Sequence, residues 1–126
     1  MIYLFILGRI LFGGYFIMSG YNHFKNHTML TGYAASKGVP MAPLAVWISG
    51  LMMLAGGLGI LFWVYLKVSI ILLAVFLLVT TFTMHQYWKV TDPAQRMGEM
   101  VNFNKNMALL GVLLILLAIP LPWSVS

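Results

Sequence analysis

Hydrophobic residues fall into four long blocks, at positions 2–21, 43–63, 64–84 and 103–121, and the polar residues collect between them. Each block is close to the roughly 20 residues that carry a helix across a hydrocarbon core about 30 Å thick. The blocks do not alternate polar and apolar residues as a half-buried strand would. In lipid every backbone group must be satisfied internally, so runs of this kind read as helices and not as barrel strands. The second and third blocks abut, but together they are twice the length of a span. Their junction holds Trp63, Tyr65 and Lys67, residue types that favour the membrane interface, which predicts a tight hairpin. Pro43 fits a first helical turn, and Pro120 and Pro122 close the last block. The pattern predicts an all-α integral membrane protein, with one domain over 1–126 built as a four-helix transmembrane bundle.

Composition identifies the solvent. With 62% hydrophobic and 7% charged residues, the chain has too little polar surface to cover a water-soluble globule of its length. The net charge of +5 raises the possibility of nucleic acid, but the basic residues are scattered through the loops with no basic face, and topology explains them better. Lys25 and Lys37 lie in the segment 22–42, and Lys89, Arg96 and Lys105 in 85–106. The opposite side has Lys67 alone. The positive-inside rule then places the two longer loops in the cytoplasm and both termini outside. The first apolar run has no basic residue before it and no small-residue cleavage site after it, so it is expected to be retained as a span.

The absence of cysteine removes disulfide shuttling, iron–sulfur ligation, covalent haem attachment and thiolate nucleophiles from the chemistry this chain can perform. No phosphate-binding glycine loop, paired acid or nucleophile with a neighbouring base is present, so no catalytic residue is assigned and an autonomous hydrolase or transferase is disfavoured. His23, His27 and His85 sit at the loop-side boundary, with His23 and His27 spaced one helical turn apart. Such a set could ligate a metal or a haem, but no carboxylate accompanies the pair, and His85 with Tyr87 and Trp88 reads equally well as an interfacial aromatic belt. No metal site is assigned.

Within the blocks, small residues recur at helical spacing. Ala42, Ala45, Ser49, Gly56 and Gly59 mark a packing seam on the second span, and Ala108, Gly111 and Ala118 mark one on the fourth. Arg9 lies inside the first span, where an uncompensated charge costs about 2.5–3.5 kcal/mol. Either it snorkels to the nearby interface, or it faces the bundle interior and meets a ligand or partner. Asp92 followed by Pro93 supplies an N-cap and a first-turn proline for a helix running into the fourth span. Spacing on that helix permits Asp92–Arg96 and Arg96–Glu99 ion pairs. It also puts Glu99, Asn102 and Asn106 on one descending polar face, suited to interhelical bonding or to a ligand.

Several of these features together resemble the DoxX family of small membrane proteins. They are Gly8, Arg9 and Ile10 leading to Ser19, Gly20, Asn22, His23 and Phe24; Lys37 to Pro40; Gly56 and Gly57; His85 to Trp88; and Met100 to Phe103 with Lys105 and Asn106. The resemblance implies a four-helix bundle of the bacterial inner membrane, in a family associated with membrane oxidoreductase assemblies that include a quinone-linked thiosulfate oxidase. The family's polar signature falls on Arg9, His23, His85, Asn102, Lys105 and Asn106. The chain departs from the family pattern where Met52 and Met53, and again Gln86, stand in place of acids common among relatives.

The function expected on this resemblance is an accessory subunit of a membrane redox system, offering a cleft lined by Arg9 and Asn106 to a quinone or a lipid. Its partners would be the bilayer, oxidoreductase subunits and further copies of itself. The rivals are an oligomeric transporter of small solutes or lipids and a structural scaffold.

Overall fold

A computed structural model describes residues 1–119 as five α-helices and one short 3-10 turn, with no strand among them. Helix α1 (Ile2–Lys25), α3 (Ala42–Phe62), α4 (Leu66–Met84) and α5 (Pro93–Ala118) are each long and apolar enough to cross a membrane. The short helix α2 (His27–Ser36) and the turn Tyr87–Lys89 lie on the side where α1 and α4 end. The chain is therefore an all-α, multi-pass membrane protein, as the block pattern predicts. Pro120, Leu121 and Pro122, read from sequence as closing the last span, lie outside the described residues.

The predicted boundaries hold where local chemistry is explicit. The Asp92 carboxylate accepts a hydrogen bond from the Gln95 backbone N–H at 3.0 Å, Pro93 takes the first turn, and α5 runs unbroken into the fourth span. At the α3–α4 hairpin, Trp63 and Tyr65 both adopt left-handed backbone conformations, at φ 62° and 47°. Such a conformation disfavours a bulky residue by about 1–2 kcal/mol. Trp63 is nevertheless buried, its ring edge-on to Phe5 at 4.6 Å, so packing across to α1 offsets the strain.

Helices α1 and α3 form the closest seam, because glycines let their backbones touch. A Cβ on Gly13 would stand 2.9 Å from the Gly57 carbonyl oxygen, and one on Gly20 would stand 2.9 Å from that of Gly50. Lipid provides little hydrophobic drive between helices, so this close approach and its dispersion contacts are what associate them. Gly56 and Gly59 play the same part toward Leu73 and Ser69 on α4. Beside the seams lies the main core, in which Phe16, Met53, Ile60, Leu73, Phe76 and Leu113 pack together.

The structure corrects four readings. The segment 22–42 is not simply a loop: α2 occupies its middle, seated on α3 through Ala34, Ala42 and Val46. The small-residue stripe of the fourth span is not a seam within the protomer, since Ala108 and Ala118 are exposed and a Cβ on Gly111 would meet nothing within 4 Å. Helix α1 stops at Lys25 and Asn26 is non-helical, so His23 and His27 belong to different helices. Finally, Arg96 does not pair with Asp92 or Glu99 but lies over the Tyr87 ring, because Glu99 is turned into the bundle.

Candidate ligand-binding cavity

The helices pack in the order α1, α3, α4, α5, and α1 and α5 share no extended seam. This incomplete closure leaves a cavity of about 780 Å³ that reaches from the loop side into the middle of the bundle. Its deep walls are apolar, with Phe16 on α1, Met52 and Met53 on α3, and Phe76 and Leu77 on α4. Leu30, Tyr33 and Ala34 of α2 cover the loop-side end. Tyr15, Met18, Val79 and Lys105 line the space while exposed on the bundle's outside, so the cavity communicates with that surface. Pockets of roughly 300–1,000 Å³, mostly apolar with a few placed polar groups, are the usual form of small-molecule sites.

Helix α5 contributes only Lys105 and Asn106 to the lining, and both are polar. Asn106 is 6% exposed, and among the described residues its amide finds no hydrogen-bond partner. The residue is buried while its amide atoms stay open to the cavity, so its donors and acceptor are available to whatever occupies that space. Lys105 lies over the Tyr15 ring at 5.6 Å and enters no ion pair among the described residues. Across the space, His23 Nδ1 donates to the Ser19 carbonyl at 2.9 Å, which fixes the ring.

Above Asn106, seven residues and thus about 10 Å along the helix, Glu99 gathers three elements at the cavity's loop-side end. The Tyr33 hydroxyl of α2 donates to its Oε1 at 2.7 Å, and Lys37 Nζ and His85 Nδ1 approach its Oε2 at 3.2 and 3.5 Å. Burial first, and then the Glu99 hydrogen bond, push the Tyr33 hydroxyl above its usual range, which keeps it protonated as the donor. Sequence alone did not single out Tyr33. Glu99 was legible as a member of the polar face it shares with Asn102 and Asn106, but not as the hub of this cluster.

Of the six residues singled out from sequence, His23, His85, Lys105 and Asn106 come together on the cavity wall. Asn102 is half-buried and does not line it. Arg9 is at the other end of the bundle. Its guanidinium donates to the Leu61 carbonyl at 2.8 Å and lies over the Trp63 and Phe5 rings at 5.1 and 5.7 Å. It thus satisfies a last-turn carbonyl of α3, and the cleft is lined by Asn106 without it. His27 Nε2 donates to the Pro43 carbonyl and its ring stacks on Trp47 at 3.7 Å. Among the described residues no group of three acidic, histidine or cysteine side chains is disposed to hold a metal ion.

These features define a polytopic helical membrane protein with an apolar cavity polar at one end. The DoxX family model matches residues 4–86, and the chain belongs to the DoxX family. It is similar to the inner membrane protein YphA of Escherichia coli (strain K12), with 31% identity over 123 residues, which cover 98% of this chain and 86% of the relative. No solved structure matches it.

Proposed function

We propose that this DoxX-family protein binds a membrane-dissolved amphiphile, a quinone or a lipid, in the cavity between α1 and α5, and serves as an accessory subunit of a membrane oxidoreductase system. The observation that carries the binding role is the open Asn106 amide, 6% exposed and facing a cavity of about 780 Å³. An apolar chain suits the walls around Met52, Met53 and Phe76, and a polar head suits Lys105 and Asn106. The redox association comes from the family resemblance, and so does a bacterial inner membrane location, which the inner membrane relative supports. The distribution of basic residues supports loops in the cytoplasm and termini outside. The exposed small-residue stripe of α5 leaves a face on which another copy or a partner subunit can seat.

The test is purification in mild detergent with native lipid, followed by solvent extraction and identification of the proteins that accompany the chain. The proposal expects a quinone or lipid retained above the level of an unrelated four-helix bundle, and an oxidoreductase component among the co-purifying proteins. A preparation that retains neither overturns it.

A further inference from the structure

Resting on that reading of the cavity, we infer that its ligand carries an anionic head group, a carboxylate or a phosphate on an acyl chain, held by Lys105 and Asn106.

Charge beside a low-dielectric medium calls for a counter-charge. The cavity lining includes three groups able to bear positive charge, His23, His85 and Lys105, and no carboxylate. The nearest acid is Glu99, and both its oxygens are occupied, one by Tyr33 and the other by Lys37 and His85. Lys37 and Glu99 cancel one another, which leaves the Lys105 ammonium uncompensated. Lys105 stands at the exposed rim of the cavity with only the Tyr15 ring beneath its ammonium, and an ammonium with no carboxylate partner at the edge of an apolar space attracts an anion. In a helix the side chain tilts toward the N-terminus. Lys105 therefore leans toward the loop-side end of the cavity, the level at which the head groups of that leaflet lie.

Asn106 supplies what charge alone does not. Its amide has two donors and an acceptor, opens from a buried residue onto the cavity, and meets no protein partner among the described residues. An ammonium at the rim and a free amide on the wall of the same cavity suit one anionic head group, since hydrogen bonds to an ionised acceptor are roughly twice as strong as neutral ones. A neutral quinone would use the amide and leave the ammonium unbalanced. The rim formed by Tyr15, Met18, Val79 and Lys105 offers entry from the side, so the head need not cross the apolar walls.

The experiment measures binding to the purified full chain in detergent of palmitate, palmitoyl lysophosphatidate, hexadecanol, a long-chain quinone and inorganic phosphate. Wild type, Lys105→Gln and Asn106→Leu are compared, with folding checked by circular dichroism. Palmitate or lysophosphatidate should bind at least about tenfold more tightly than hexadecanol or the quinone, and whichever anion binds better distinguishes a carboxylate from a phosphate head. Lys105→Gln should abolish this preference by bringing palmitate and lysophosphatidate down to the affinity of hexadecanol, and Asn106→Leu should weaken every amphiphile. Inorganic phosphate should not compete; if it displaces the amphiphiles, the ligand needs no chain and the inference fails. Neutral and anionic chains binding equally, with Lys105→Gln silent because the lysine merely snorkels, would overturn the charge assignment but spare the cavity. Failure of every chain to bind would overturn the cavity reading itself.

Discussion

Tyr33 and Glu99, 66 positions apart, meet at 2.7 Å, and this hydrogen bond ties α2 to α5 across the loop-side end of the cavity. With Lys37 and His85 on the second carboxylate oxygen, one acid joins α2, otherwise seated on α3, and the end of α4 to α5. Removing one partner of a buried ionic cluster leaves the remaining charge uncompensated, at about 3–5 kcal/mol when fully buried and less here because Lys37 is partly exposed.

Glu99→Ala is accordingly predicted to lower the thermal midpoint in detergent and to speed amide hydrogen exchange across α2 more than in α1 or α3. Glu99→Gln, whose amide oxygen still accepts from Tyr33, should show the smaller effect. Uniform exchange in α2 across wild type and both variants would contradict the tie.

The Tyr33 hydroxyl titrates above its ordinary value of about 10, chiefly through burial and secondly through Glu99. Because the folded-state value is raised, the stability this contact contributes is complete below about pH 10 and is lost as pH climbs through the folded value. The alkaline difference spectrum between wild type and Tyr33→Phe should show tyrosinate forming later than in free tyrosine. Glu99→Gln should return it only part of the way, since burial remains.

The α1–α3 seam tolerates no side chain at Gly13, where a Cβ would stand 2.9 Å from one backbone atom and 3.0 Å from another. Gly13→Ala is predicted to cost about 1–3 kcal/mol, the usual range for overpacking, as read by thermal or denaturant unfolding. Gly111→Ala, with nothing within 4 Å of its Cβ, should leave the protomer's stability unchanged. Equal effects at the two sites would refute the seam.

These two glycines show where sequence legibility ends. Hydropathy alone gives four spans, because the requirement that lipid imposes on the backbone is local and acts on every residue of a block. It does not say which face of a span meets protein and which meets lipid, since both are apolar. The α5 stripe therefore reads as a seam, while nothing in the pattern marks Gly13 or Gly20 as one. The cavity was legible in part for a related reason. His23, His85, Lys105 and Asn106 stand out as polar groups toward the loop-side ends of the spans, but separating Arg9 from Asn106 requires knowing that Leu61 presents a carbonyl to it. Helix α2 is not legible in the pattern because it is short and gains its stability from α3, not from a strong periodicity of its own.

Arg9 illustrates the distinction between a structural and a binding charge. Arg9→Leu is predicted to destabilise the α3–α4 hairpin by about 1–3 kcal/mol, the cost of losing a charged hydrogen bond to the Leu61 carbonyl. Palmitate binding by the folded fraction should remain at the wild-type level. A loss of binding without a loss of stability would return Arg9 to the site.

The central claim, that the open Asn106 amide marks an occupied cavity, is tested most directly by native mass spectrometry of the protein released from its own membrane. Wild type should retain a small amphiphile through purification, and Asn106→Leu, equally folded, should emerge largely bare. Wild type and variant carrying the same complement, or both carrying none, would contradict the account.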